Sequence, residues 1–285
     1  MVMSPRCKVA VLTHALDPID HAKYLMLKIV KNWQTSGVEV VVLRGPERYE
    51  AADVIVLHVD LTVVPQEYLD FCARYPIVVN GRVRDISKRK ISKNLLGPKD
   101  HYTGAVIVKA DLNFGGFPEL KMQRSGRLSR MWNKYLPWSI TGILSPSAYP
   151  VFSSMAEVPK AVWRNRRLVV EKFCPEREGD HYCLRQWIFL GDRGVSQRIY
   201  SLNPIVKAAN TVHREYGPPV PESLREMRSR LGFDYGKFDY VVVDGEVILL
   251  DANRTPALGG SDGWTQNVAA ELAGGLPSFL RGLDD

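Results

Sequence analysis

The sequence predicts an α/β fold, a small N-terminal α/β domain with a parallel sheet over residues 1–84, then a mixed α+β region with antiparallel sheets. Two observations lead there. In the first third, short Val/Ile/Leu runs alternate with helix-period segments, the pattern of a parallel sheet covered on both faces. From Arg167 onward, apolar runs follow one another with glycine-containing turns between them, the pattern of antiparallel pairs. A length of 285 residues, 45% hydrophobic and 24% charged, suits a soluble globular chain of about two domains that needs no disulfide or structural metal to fold.

The elements follow in order. Lys8 to Leu12 is a short apolar strand. Leu25, Ile29, Val30 and Trp33 recur at helical spacing, and Gly37 is placed to stop that helix. Val38–Leu43, Asp53–Val59 and Ile77–Asn80 read as strands, with a helix near Gln66–Arg74. Beyond them, Gly104–Asp111 is a strand ending in Lys109, followed by the small-residue loop "NFGG". Residues 121–148, rich in Trp, Arg, Ser and Pro, have no clear period. Arg167–Phe173, Leu184–Gly191 and Val195–Ser201 read as strands; "PESLREMRSRLG" is a helix with Leu224, Met227 and Leu231 on one face.

Composition excludes several classes. No apolar run approaches the roughly 20 residues that span a membrane, and the N-terminus lacks the layout of a signal peptide. Cys7, Cys72, Cys174 and Cys183 are scattered without CxxC or zinc spacing, which implies reduced thiols in a cytoplasmic chain. The six histidines share no motif. The net charge of +7 concentrates in "NGRVRDISKRKISK", "RSGRLSRMWNK" and "WRNRR". Charge alone is compatible with nucleic acid, with a small anionic ligand such as a nucleotide, or with a solvated surface. No aromatic-interleaved RNA motif or helix-turn-helix pattern supports the first.

The stretch "DYVVVDGEVILLDANRTP", Asp239 to Pro256, has the form of a hairpin around Asp244-Gly245 with oxygen-bearing side chains at its open end. Asp251 and Asn253 share a face. A clean two-residue loop sets Asp239 opposite Leu250; a three-residue loop or one bulge sets it opposite Asp251. The expectation is the shifted register and an all-oxygen Asp239/Asp251/Asn253 cluster, which suits Mg²⁺. The alternative is ordinary polar residues at strand ends.

"FDYVVVDGEVILLDANRTP" resembles the C-terminal metal-binding hairpin of the ATP-grasp superfamily, with Asp239, Asp251, Asn253 and Pro256 at the matching positions. Asp251 stands where that family usually has Glu, and Arg254 is bulkier than its pattern suggests. "ISKRKISKNLL" is similar to the segment whose lysine contacts ATP phosphates ahead of an apolar helix, which gives Lys88. "AVIVKAD" resembles the strand with the second phosphate lysine, here Lys109; snorkelling to solvent is its other reading. "VVEKF" resembles the strand that binds the adenine edge, with Glu171, Lys172 and Phe173, and "LNFGG" the lid, with Gly115 and Gly116. The resemblance divides the rest of the chain into a central lobe with the lid (85–166) and a C-terminal lobe with the metal site (167–285).

"YCLRQWIFLGDRGVSQRIYS" reads as a hairpin; a four-residue loop, 191–194, sets Trp187 opposite Arg198 with Arg185 on the same side. These arginines are either a surface paired with carboxylates such as Asp180 or, as the resemblance implies, the groups that hold the transferred phosphate. Arg198, Arg185 and Asn210 are its catalytic candidates. The implied chemistry is ATP- and Mg²⁺-dependent (Mn²⁺ being a substitute), with a small-molecule or peptide carboxylate activated as an acyl phosphate and joined to an amine. An ATP-grasp kinase and a non-catalytic nucleotide-binding regulator are the alternatives. Relatives are often dimers, so a homodimer is compatible with the resemblance.

Overall fold

The computed structural model describes residues 7–19, 24–122, 136–145, 148–258 and 263–281. The basic segment "RSGRLSRMWNK" and His21 lie outside them.

The N-terminal strands are β1 (Lys8–Thr13), β2 (Glu39–Arg44), β3 (Val54–Leu57) and β4 (Ile77–Val79), with helices α1 (Leu25–Thr35) and α2 (Gln66–Cys72) between them. They form a parallel sheet in the order β2-β1-β3-β4, as the alternation predicts. Strand alternation divides β1 between two cores. Val9 and Val11 pack with Leu25, Ile29 and Trp33 of α1, while Ala10 and Leu12 pack with Tyr68 and Phe71 of α2.

The middle of the chain holds α3 (Lys88–Ile91), β5 (Leu95–Leu96), β6 (Val106–Ala110), α4 (Phe117–Met122), α5 (Trp138–Thr141), β7 (Val151–Phe152), α6 (Lys160–Arg164) and β8 (Leu168–Lys172). Its sheet is antiparallel, in the order β5-β8-β6-β7. One expectation is corrected. Leu95 and Leu96 form a strand on β8 rather than an apolar helix, because both carbonyl-bearing edges of β8 need partners. β8 is an interior strand of this sheet, between β5 and β6.

The last region contains β9 (Glu176–Glu178), β10 (His181–Leu190), β11 (Arg193–Ser201), β12 (His213–Tyr216), α7 (Glu222–Leu231), β13 (Tyr235–Val243), β14 (Glu246–Asn253), α8 (Gly263–Ala273) and α9 (Pro277–Leu280). The strands run β12-β11-β10-β13-β14, with β9 also on β10. Gly232 ends α7 in the left-handed conformation, as its place after Leu231 suggests. The face of the sheet that bears Trp187, Phe189 and Phe238 packs on Leu224 and Met227 of α7. Toward α8 the opposite face sends Ile188, Leu190 and Tyr235 into the same core as Val9, Val11 and α1.

Two buried side chains pin this sheet to the N-terminal domain. Asn80, held at a positive φ of 65°, accepts from the N–H groups of Asp234 and Tyr235 and donates to the Tyr235 carbonyl at 2.8 Å. Arg254 is fully buried and donates to the carbonyls of Val83 (2.6 Å), Leu61 (2.5 Å) and Val59 (3.4 Å). Its bulk, unexpected from the hairpin pattern, is thus an interdomain clamp. Burial pulls its pKa down to about 10, still charged at neutral pH.

Candidate ATP and metal site

The hairpin register is decided by one residue. Val243 pairs with Glu246 across a two-residue turn, with Asp244 and Gly245 both at positive φ (52° and 80°), as a type I′ turn requires. That turn alone would set Asp239 against Leu250. A bulge beyond Tyr240 shifts the register, so Asp239 stands directly opposite Asp251. The expected carboxylate pair forms. Asn253 lies two residues further on the same face, opposite Lys237, with its Oδ1 accepting from the Thr255 N–H at 2.8 Å.

Lysines surround the pair. Lys88, only 3% exposed, opens α3 and donates to Asp251 Oδ1 at 2.6 Å. Burial acts to lower the Lys88 pKa, but Asp251 outweighs it and leaves it raised; the same ion pair holds the Asp251 carboxyl below the usual range against its own burial. Lys237 reaches Asp239 Oδ2 at 3.1 Å, and Gln186 donates to Asp239 Oδ1 at 2.8 Å. Lys109 and Glu171 form a buried pair at 2.6 Å, which leaves Glu171 Oε1 without a partner. Lys109 therefore does not snorkel.

Lys207, in the loop after β11, is close enough to feel Asp239, Asp251, Lys109 and Lys237, and burial lowers its pKa. Its ammonium lies 5.6 Å from the centre of the Tyr149 ring. The Tyr149 phenol is pushed up to about 12, chiefly by burial, with Lys88, Asp251 and Glu171 in electrostatic reach. The site thus gathers Lys88, Lys109, Lys207 and Lys237 around Asp239, Asp251 and Glu171, a cationic surplus in a partly buried place.

Three residues at this centre escaped the sequence reading. Lys237 had a signal, being two residues before Asp239 and so on the same face of its strand. Lys207 also had one: "IVKA" occurs at both Lys109 and Lys207. Tyr149 had none.

Other candidates fall elsewhere. Arg185 and Arg198 are direct cross-strand partners, because the β10–β11 turn has two residues rather than four, and Trp187 faces Ser196 instead. Arg185 also pairs with Tyr240, while its neighbour Gln186 pairs with Asp239. The two arginines therefore project from the face opposite the carboxylate pair. There both bind Glu176, Arg185 through Nε and Nη2 (3.0 and 2.8 Å) and Arg198 at 2.7 Å; Arg198 also contacts Glu178. The local carboxylates are Glu176 and Glu178, not Asp180. Asn210 is committed to its own loop, accepting from the Lys207 N–H at 2.7 Å and donating to the Ile205 carbonyl at 2.9 Å. It shapes the loop that carries Lys207.

At the adenine candidates, the N–H of Lys172 donates to Asn94 and that of Phe173 to Ala105, both at 2.9 Å. Those two donors are used within the central sheet, and the Glu171 side chain is spent on Lys109. Gly115 and Gly116 follow Phe114 in a run of positive φ (46°, 70° and 79°), and a Cβ on Gly116 would meet Leu112 at 2.9 Å. This segment docks on the N-terminal region, where Thr62 Oγ1 accepts from the Asn113 N–H and donates to Glu119.

The donor set fits Mg²⁺ in kind. Two facing carboxylates and an amide oxygen are hard ligands, and Mg²⁺ usually takes one or two carboxylates and completes its shell with phosphate and water. Among the described residues, no three His, Cys, Asp or Glu side chains cluster as a self-sufficient metal cage. None of the described helices is long and apolar enough to cross a membrane.

No protein-family model matches the sequence, and no curated protein matches it. Solved structures do match along the whole chain. A RimK domain ATP-grasp protein from Sphaerobacter thermophilus superposes with a TM-score of 0.53 at 14% identity, covering 95% of this chain and 100% of that one. The D-alanine–D-alanine ligase of Bacillus anthracis complexed with ATP gives a TM-score of 0.52 at 15% identity, covering 98% of this chain and 99% of that one.

Proposed function

We propose that this chain, which has the ATP-grasp fold, is an ATP- and Mg²⁺-dependent ligase that activates a carboxylate as an acyl phosphate and joins it to an amine. The observation that carries the proposal is the convergence of four lysines on a facing pair of aspartates. Cations in excess of their carboxylate partners, in a partly buried site where water screens them less, are costly unless a polyanion joins them. A nucleoside triphosphate with its metal supplies that polyanion. The structural neighbour solved with ATP supports the choice of nucleotide.

Asp239, Asp251 and Asn253 would hold Mg²⁺, which when bound neutralises phosphate charge during transfer. Lys88 would leave Asp251 for a phosphate oxygen, and Lys109 would do so with Glu171 at hand to keep it placed. Because Arg185 and Arg198 lie on the other face, the transferred phosphate falls to Lys237 and Lys207. In the first step a carboxylate oxygen bonds to the γ-phosphorus and the bond to ADP breaks. In the second the amine nitrogen bonds to the acyl carbon, the bond to phosphate breaks, and the amine proton goes to solvent. The protein supplies position and charge, with no nucleophile of its own.

Calorimetry of ATP with and without Mg²⁺ tests the site, on wild type and on the Asp251→Ala/Asn253→Ala variant. Expected is micromolar binding that Mg²⁺ strengthens, with that Mg²⁺-dependent gain lost in the variant; absence of ATP binding in wild type refutes the reading. ADP release that depends on an added amine separates the ligase from a kinase.

A further inference from the structure

One transverse row of the six-stranded sheet is polar across four adjoining strands. Gln197 on β11, Gln186 on β10, Asp239 on β13 and Asp251 on β14 stand directly opposite one another in turn. Arg214 pairs with Ile199, two residues from Gln197, and so projects from the same face. Its Nη1 donates to Gln197 Oε1 at 3.3 Å. Gln197 Nε2 donates to Gln186 Oε1 at 2.6 Å, and Gln186 Nε2 donates to Asp239 Oδ1 at 2.8 Å.

Both ends of this chain have a fixed sense. A guanidinium only donates and an ionised carboxylate only accepts. Each glutamine amide between them must therefore turn its oxygen toward Arg214 and its nitrogen toward Asp239. Reversing either amide sets oxygen against oxygen. Gln197 is 2% exposed, so a reversed amide would find little water to compensate it.

We infer that Arg214, Gln197 and Gln186 are positioning residues, a one-directional hydrogen-bond relay that fixes the orientation of the Asp239 carboxylate toward the metal–nucleotide site. This inference rests on the ligase reading of that site. A carboxylate ligand is otherwise free to rotate about its terminal bond, and outer partners that hold it commonly govern metal affinity. With Gln186 on Oδ1 and Lys237 on Oδ2, the plane of the Asp239 carboxylate is set before any ligand arrives. Arg214, on the edge strand three strands away, sets the direction.

The test compares wild type with Gln186→Leu, Arg214→Leu and Arg214→Lys. Calorimetry with a non-hydrolysable ATP analogue, with and without Mg²⁺, reads the metal-dependent part of the affinity. That part is expected to fall about tenfold in Gln186→Leu, the low end of losses for outer-shell partners. A smaller fall is expected in Arg214→Leu, restored in Arg214→Lys, with binding of the metal-free nucleotide unchanged throughout. Equal losses with and without Mg²⁺, or no loss, overturn the relay. The side-chain amide resonances of Gln186 and Gln197 provide a second reading that needs no ligand. Arg214→Leu, a substitution on an edge strand, should move both pairs of signals, and unmoved signals overturn the relay alone. Wild type that fails to bind the Mg²⁺-loaded analogue overturns the ligase reading and the relay's role together.

Discussion

The two faces of the six-stranded sheet carry the same kinds of residue to opposite ends. On one face, Arg185 and Arg198 meet Glu176 and Glu178, cation for anion, and a backbone N–H from Val242 completes Glu176 at 2.8 Å. Burial opposes the charge on Arg198, yet Glu176 prevails and its pKa is raised. On the other face, Lys88, Lys109, Lys207 and Lys237 outnumber Asp239, Asp251 and Glu171, and Lys207 is held with its pKa lowered. A balanced cluster stabilises the protein by itself. An unbalanced one costs stability until its ligand arrives.

Four substitutions sharpen that contrast. Glu176→Ala strands Arg185 and leaves Arg198 with Glu178 alone, and should cost about 3 kcal/mol, the low end of the toll of breaking a buried ion pair. Urea unfolding measures it, and the folded fraction should keep its ATP affinity. Lys237→Met and Lys207→Met should each lower affinity for Mg²⁺-ATP by at least about tenfold, worth about 1.4 kcal/mol. A mutant of either kind that binds as tightly as wild type would remove that lysine from the site.

Lys207→Met should also stabilise the ligand-free protein, unlike any change at Glu176. The sign follows from the lowered pKa. In the folded state the charged form is disfavoured, so the penalty is full below the folded pKa and fades as pH rises from there to the ordinary 10.5. The gain in Lys207→Met should thus be present at neutral pH and vanish above about pH 10.5 in thermal melts. The smallest effect belongs to a pair outside both clusters. Arg281→Ala removes an exposed contact to Asp192 at 2.9 Å and should change stability by less than about 0.5 kcal/mol.

Much of this was legible in the amino-acid sequence. Apolar alternation predicted the parallel sheet, and it located β6, β8, β13 and β14 to within a few residues. Of the candidates that come together, Lys109, Asp239 and Asp251 are charged residues at the ends of apolar runs, where an unpartnered charge is conspicuous, whereas Lys88 lies in a basic stretch and was found through the resemblance alone. Arg185 and Arg198 were misplaced for a definite reason. Side chains alternate with a period of two, so the face on which a residue points depends on turn length and bulges. A four-residue loop and a two-residue loop read alike in "LGDRGV".

The sequence by itself determined most of the longer strands, that an Asp-Gly turn closes the last hairpin, and that oxygen-bearing side chains stand at its open end. Only the tertiary structure decided which face each charge occupies and who its partner is. The bulge that brings Asp239 to Asp251 is a single residue without a local signature. The pairings of Lys88 with Asp251 and Lys109 with Glu171 join residues far apart in the chain. Such pairs are fixed by sheet order and domain packing, which Arg254 and Asn80 lock, and local propensity carries no information about them.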